Sequence, residues 1–137
     1  MRARSVGGLL ACLWLASACG EADPATPGYL FYGTITSTSV DASGAWAYVR
    51  LVEAGGTVED TSLYKAGCQL TGPSCDYQIN RVLEGRYTVY GSIDLDGDAD
   101  WDDPLPDGGD LVSPGRPLTL LSRTAMDFPD AAWRLLP

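Results

Sequence analysis

The chain has 137 residues and a formal net charge of −9 at pH 7, and a chain of this length forms at most one small domain. It contains no histidine, which excludes Ser-His-Asp and Cys-His catalysis and histidine-ligated zinc. The negative charge is expected to repel nucleic acid and anionic lipid alike.

The first 18 residues have the layout of an export signal. Arg2 and Arg4 form a positive region, residues 6–15 are apolar apart from glycines, and small residues lead up to Cys19. The apolar run is shorter than the ~20 residues that span a bilayer. We therefore expect residues 1–18 to be a signal peptide, and losing its two arginines changes the net charge from −9 to −11.

The small residues before Cys19 resemble the lipobox of bacterial lipoproteins, in which the cysteine becomes the lipidated first residue. Leu15 lies one place earlier than the lipobox leucine, and Ala16 takes its position. The resemblance implies an acylated Cys19 that anchors the exported protein to the bacterial cell envelope, at the outer membrane or the cell surface. The alternative is an ordinary cleavage near Ala18 that leaves a free thiol. Residues 19–28 are polar and proline-bearing, so we expect a tether between anchor and domain.

From residue 29 onward, runs with the two-residue period of β-strands are separated by turn-forming residues. The candidate strands lie at 29–36, 45–52, 57–63 (a weaker segment), 77–80, 86–93, 118–121 and 125–128. The clearest alternation, at 86–93, places Tyr87, Val89 and Ile93 inward. No window has a convincing helical period. The predicted fold is therefore all-β, a small antiparallel sandwich of residues 29–137 without substantial helix.

Residues 45–52 also alternate, with two sets of three side chains on opposite faces. One face carries Ala47, Val49 and Leu51, and the other carries Trp46, Tyr48 and Arg50. Tyr32, Tyr48 and Tyr90 are candidates for an aromatic stripe on one sheet.

Two cysteines remain once Cys12 leaves with the signal and Cys19 takes the lipid. Cys68 and Cys75 flank the turn signal Gly72-Pro73. An even pair in an exported protein favours a disulfide. Two free buried cysteines are the alternative.

The acidic loop, residues 94–103, holds six aspartates in ten residues, and no lysine or arginine lies between Arg86 and Arg116. Aspartates at alternate positions can turn their oxygens inward where the backbone wraps, and Gly97 lets it wrap. Calcium accepts about six to eight oxygen ligands in loose geometry. The predicted calcium ligands are the side chains of Asp94, Asp96 and Asp98, the carbonyl of Asp100, and Asp102.

The spacing resembles the short Asp-x-Asp-Gly-Asp calcium loops of integrin-type β-propellers, which close with an aspartate that corresponds here to Asp102. It departs from the EF-hand, because Ala99 replaces the loop glycine and Leu105 replaces the closing glutamate. The alternative is a flexible acidic loop that solvent ions neutralise diffusely.

Residues 77–89 (Tyr-Gln-Ile-Asn-Arg-Val-Leu-Glu-Gly-Arg-Tyr-Thr-Val) resemble the core of transthyretin-like domains, a strand followed by x-Gly-x-Tyr-x-Val. These domains, also called carboxypeptidase regulatory-like, are β-sandwiches common in secreted bacterial proteins. The resemblance implies an accessory or binding role, without a shared catalytic set.

We therefore expect a non-enzymatic accessory module at the envelope, in a binding or structural role, whose partner the sequence does not identify. One alternative is a small glycosidase, because that chemistry needs only two carboxylates ~5–9.5 Å apart. However, a domain of about a hundred folded residues is small for forming the walls of a substrate cleft. Another is a carbohydrate-binding module with Trp46 or Trp101 as a stacking platform. Partial burial of either tryptophan is the competing interpretation.

Overall fold

A computed structural model describes residues 28–137. The expected signal peptide, the lipidated Cys19 and all of the tether except Gly28 lie outside the described residues. Within them the chain forms strands and two short 3-10 turns, at Val40–Ala42 and Asp130–Ala132. The strands are β1 Tyr29–Thr36, β2 Trp46–Glu53, β3 Tyr64–Gln69, β4 Ser74–Val82, β5 Gly85–Asp94, β6 Leu111–Val112, β7 Arg116–Leu120, β8 Thr124–Ala125 and β9 Arg134–Leu135.

The strands form two sheets, which confirms the predicted all-β sandwich. The smaller sheet has the order β4-β1-β8, and the larger has the order β3-β2-β5-β6-β9 with β7 also paired to β5. β7 pairs with the first half of β5 and β6 with its second half. The strand pairings are antiparallel except that of β1 with β8, which is parallel.

One hydrophobic core lies between the sheets. Tyr87, Val89 and Ile93 belong to it, as the alternation of β5 predicted. Phe31 and Phe128 face them from the other side of the core and are fully buried. Burying a side chain of this size contributes about 1.5–3 kcal/mol, so these apolar alternate residues fix which face of each strand turns inward.

The outer face of β2 is buried as well, which its alternation did not predict. Tyr48 and Arg50 point away from the core, yet both are buried. Residues 54–63 and the long connection after β5 fold over this face, as the contacts of Arg50 and Tyr48 show. The predicted weak strand at 57–63 is therefore wrong. That segment forms turns around Arg50, and the strand begins at Tyr64.

The predicted disulfide between Cys68 and Cys75 is confirmed, with the two Cα atoms 5.9 Å apart. Cys68 lies in β3, an edge strand of the larger sheet, and Cys75 lies in β4, an edge strand of the smaller sheet. The bridge therefore joins the two sheets along one side of the sandwich.

The remaining expectations for strands are met only in part. The predicted strand at 118–121 overlaps β7, whereas of 125–128 only Ala125 lies in a strand and Phe128 makes a single bridge to Ile35. The aromatic stripe on one sheet is wrong, because Tyr32 lies in the smaller sheet while Tyr48 and Tyr90 lie in the larger one. No helix among residues 28–137 is long and apolar enough to cross a membrane.

Candidate metal centre

The candidate site lies where the chain leaves β5. Asp94 is the last residue of β5 and pairs with Trp46 of β2. Residues 95–110, which we call the connecting loop, then cross the end of the larger sheet and return at β6 beside β5. Both ends of the connecting loop are therefore fixed by strands of the larger sheet.

Trp101 fastens the connecting loop to the outer face of the larger sheet. Its ring centroid lies 6.0 Å from that of Tyr48, and the Lys65 ammonium lies 5.4 Å above the ring. The same ammonium donates a hydrogen bond of 2.5 Å to the Asp102 carbonyl. A Cβ added at Gly67 would lie 3.1 Å from the Trp101 ring, so a glycine there permits the close approach.

Asp103 provides a second attachment, through a polar network under the loop. Its carboxylate accepts a hydrogen bond of 2.7 Å from the Ser62 hydroxyl and lies 3.8 Å from Nε of Arg50. Nε of Arg50 in turn donates to the same hydroxyl at 2.6 Å. Because Arg50 is buried, this network joins the connecting loop to the sheet through β2.

Four aspartates form what we call the carboxylate cluster: Asp94, Asp96, Asp98 and Asp110. Each offers one carboxylate oxygen, and these oxygens all lie within 4.8 Å of one another. Asp94 and Asp110 are buried, whereas Asp96 and Asp98 are exposed. The cluster therefore has a fixed inner half and a side open to solvent.

Three of the five predicted calcium ligands, Asp94, Asp96 and Asp98, belong to this cluster, and the carboxylate of Asp102 does not. The predicted ligand of Asp100 is its carbonyl oxygen and not its carboxylate. The Asp100 carbonyl accepts the Asp103 amide at 3.1 Å, and its carboxylate accepts the Asp102 amide at 3.0 Å. Trp101, between Asp100 and Asp102, packs against Tyr48 on the outer face of the larger sheet. Asp110 takes part instead, because the chain returns beside β5 just before β6. The only sequence signal for it was that the aspartates continue beyond residue 103.

Backbone amides hold the two buried carboxylates in place. Asp94 accepts hydrogen bonds of 2.9 Å from the amides of Gly97 and Ala99. Asp110 accepts bonds of 3.0 Å from the amides of Leu95 and Asp107. Gly97 has φ = 75°, in the left-handed region that glycine adopts readily. These charge-assisted bonds stabilise the buried charges and wrap the loop around Asp94.

The crowding of negative charge affects neighbouring groups. A hydrogen bond with Asp98 lowers the pKa of the exposed Asp107. Hydrogen bonding to Asp110, desolvation, and the charges of Asp110 and Asp96 outweigh it, so the pKa lies above its ordinary value. Burial, followed by the charge of Asp94, likewise raises the pKa of Tyr48. A cation bound in the cluster would reverse the electrostatic part of both effects.

The donor set fits a hard cation. Every cluster ligand is a carboxylate oxygen, which suits calcium or magnesium and not a soft metal. Four side chains could offer four of the roughly six to eight oxygens that calcium takes, and the exposed Asp96 and Asp98 leave one side open to solvent.

The two candidate stacking tryptophans differ in their surroundings. Trp46 is 46% exposed and lines a groove of about 270 Å³ together with Asp94 and Asp96. Trp101 is also exposed, but its ring packs against Tyr48. Trp46 is therefore the one that lies directly beside the carboxylate cluster.

Comparisons with family models, with curated proteins and with solved structures find no match to this chain.

Proposed function

We propose that this protein is a lipid-anchored, non-enzymatic accessory module of the bacterial cell envelope whose connecting loop binds calcium. The observation that carries the calcium site is the carboxylate cluster, with four oxygens within 4.8 Å. Carboxylates so close repel one another, and a divalent cation turns that repulsion into attraction. Binding would order the exposed Asp96 and Asp98 against the fixed Asp94 and Asp110.

The spacing of the cluster favours a shared cation over glycosidase chemistry. The two carboxylates of a glycosidase stand about 5–9.5 Å apart, which leaves room for the sugar or for water. In the cluster, one oxygen of each carboxylate lies within 4.8 Å of one oxygen of every other, which is close enough for all four to share one cation. An accessory role also agrees with the resemblance of residues 77–89, which span β4 and the start of β5, to transthyretin-like domains.

The calcium proposal is tested by thermal melts in EDTA, in millimolar calcium and in millimolar magnesium. We expect calcium to raise the melting temperature and magnesium to raise it less, because magnesium demands a tighter octahedron and dehydrates reluctantly. The expected dissociation constant is of the order of 10⁻⁴–10⁻³ M. At that constant, about 1 mM calcium adds roughly 0.4–1.4 kcal/mol to the free energy of unfolding.

Matched variants show whether calcium binding depends on the carboxylate cluster or on the other aspartates of the acidic loop. Asp96→Asn and Asp98→Asn should lose the calcium increment and keep or slightly raise the melting temperature in EDTA, because they relieve repulsion. Asp102→Asn should retain the increment, since Asp102 lies outside the cluster. If calcium stabilises the wild type no more than magnesium does, the acidic loop is only a solvated segment and the calcium site is withdrawn.

The lipid anchor is tested in a lipoprotein-competent bacterium. The full chain should incorporate labelled palmitate and partition into detergent, and Cys19→Ser should do neither. An unlabelled, water-soluble wild-type product would contradict the anchor, whatever the outcome of the calcium melts.

Carbohydrate binding is the second candidate function, favoured by the groove that Trp46 shares with Asp94 and Asp96. The exposed aromatic ring offers a face on which a sugar ring can stack. A cation bound beside it would coordinate the sugar hydroxyl groups. A glycan array probed with and without calcium tests it, with Trp46→Ala as the variant that should lose binding. Binding that persists in Trp46→Ala would rule out this groove.

A further inference from the structure

The end of the sandwich opposite the carboxylate cluster exposes apolar side chains. We call it the turn end and define it as residues 81–86 and 121–123. Leu83 is 48% exposed and Leu121 is 63% exposed. Gly85 pairs with Leu120, so the two turns that carry these leucines lie side by side. Two exposed leucines at adjacent turns are available for contact with another surface.

Three exposed arginines belong to the turn end. Arg81 lies near the end of β4, two residues before Leu83, and Arg86 is the second residue of β5. The Arg123 guanidinium lies 4.9 Å from the ring centroid of Tyr32, on the outer face of the smaller sheet. Arg86 alternates with the inward Tyr87 and so lies on the outer face of the larger sheet.

Acidic residues at the turn end are fewer than basic ones. Glu84 lies in the first turn, and Glu53 lies opposite Tyr87 at the end of β2. The turn end therefore carries a small positive excess, in a chain whose formal net charge is −9.

The described chain also begins at the turn end. Tyr29 pairs with Val82, and a Cβ added at Gly28 would lie 2.5 Å from the Cα of Arg81. Eight residues, 20–27, separate Cys19 from Gly28, and the nine residue steps from Cys19 to Gly28 span at most about 30 Å when fully extended. A lipid on Cys19 would therefore hold the turn end near the membrane.

We propose that the turn end docks on the membrane that holds the anchor, and this proposal rests on the lipidation of Cys19. Leu83 and Leu121 enter the interfacial region of the bilayer, and the three arginines pair with the phosphates of anionic lipids. The carboxylate cluster, at the other end of β5, then faces away from the membrane.

The repulsion expected from the net charge does not prevent this docking. β5 runs from Gly85 at the turn end to Asp94 at the cluster, nine residue steps, or roughly 30 Å at ~3.3 Å per residue. That distance is more than three Debye lengths of ~8 Å at physiological ionic strength. Glu84, Glu53 and the tether residues Glu21 and Asp23 oppose the three arginines near the anchor. Docking therefore depends on the two leucines and on the pairing of individual arginines with lipid phosphates, and not on net charge.

Quenching by brominated lipid tests the docking in the full lipidated protein. The protein is reconstituted into vesicles of phosphatidylcholine mixed with phosphatidylglycerol, with and without bromine on the acyl chains. We expect bromine to quench the tryptophan of Leu121→Trp and not that of Leu105→Trp, a matched leucine in the connecting loop. Wild-type protein supplies the background from Trp46, Trp101 and Trp133.

Arginine variants in the Leu121→Trp background test the electrostatic part. Arg81→Gln and Arg123→Gln should each lower the ratio of docked to undocked protein about fivefold. Arg134→Gln, an exposed arginine in β9, should leave it unchanged.

Flotation of the vesicles distinguishes a failure of the docking from a failure of the lipid anchor. If the protein floats with the vesicles but bromine quenches Leu121→Trp no more than Leu105→Trp, the docking is overturned and the anchor stands. If wild-type protein does not float, the anchor and the docking are overturned together.

Discussion

At the scale of single residues, Arg50 is the side chain on which the loops of the larger sheet depend. It is 1% exposed, and its guanidinium donates to the Ser62 hydroxyl at 2.6 Å, to the Val58 carbonyl at 2.7 Å and to the Asp60 carbonyl. Burial lowers the pKa of Arg50, and the charges of Asp103 and Asp60 oppose that shift. The hydrogen bonds offset the cost of burying the charge and hold residues 58–62 over β2.

We expect Arg50→Met to lower the free energy of unfolding by about 3 kcal/mol. Methionine fills part of the volume but leaves the Val58 and Asp60 carbonyls and the Ser62 hydroxyl without their donor. Urea unfolding measures the loss. Arg134→Met, an exposed arginine of the same sheet, is the control and should change stability by less than about 0.5 kcal/mol. Equal stability of the two variants would show that the buried network contributes nothing.

At the scale of elements, the sequence pattern predicted β1, β2 and β5 well, found only residues 77–80 of β4, and predicted the short strands poorly. The predicted strand at 29–36 has the bounds of β1, and the prediction for β2 is shifted by one residue. β3 was missed because Tyr64–Gln69 contains a lysine and a glycine and shows no alternation. Its pairing with β2 and the Cys68–Cys75 bridge stabilise it instead. β6 and β9 have two residues each, too few for any period to show.

Removing the disulfide should loosen the joint between the sheets. A bridge that closes a loop of about eight residues contributes roughly 2.5 kcal/mol in the chain-entropy model. We therefore expect the double variant Cys68→Ala/Cys75→Ala to lose about that much stability in urea unfolding. Dithiothreitol should destabilise the wild type by a similar amount and leave the double variant unaffected. A wild type as stable reduced as oxidised would contradict this.

At the scale of the whole molecule, tertiary packing determines which aspartates come together in the carboxylate cluster. Alternate spacing identified Asp94, Asp96 and Asp98, which are neighbours along one wrapped segment. Asp110 joins them only because the chain returns beside β5. The carboxylate of Asp102 lies outside the cluster, in the segment that Trp101 attaches to the larger sheet. Spacing along the chain contains neither fact, since both depend on tertiary packing.

The carboxylate cluster should make stability depend on salt when no divalent cation is present. Screening weakens the repulsion between carboxylates, so we expect sodium chloride to raise the melting temperature in EDTA. In the double variant Asp96→Asn/Asp98→Asn, which lacks the two exposed charges, sodium chloride should raise the melting temperature less. Identical salt dependence of the two proteins would mean that repulsion within the cluster does not destabilise the fold.

The position of β1 has a mechanical consequence. β1 starts at the turn end, where the proposed anchor joins, and pairs with β4 from Tyr29 to Thr36 along the length of the domain. The hydrogen bonds of an antiparallel pair run perpendicular to the strands. A ligand held at the carboxylate cluster and pulled away from the membrane would therefore load these bonds in shear, all together, rather than opening them one at a time. Such a force meets its greatest resistance at the strand that follows the anchor.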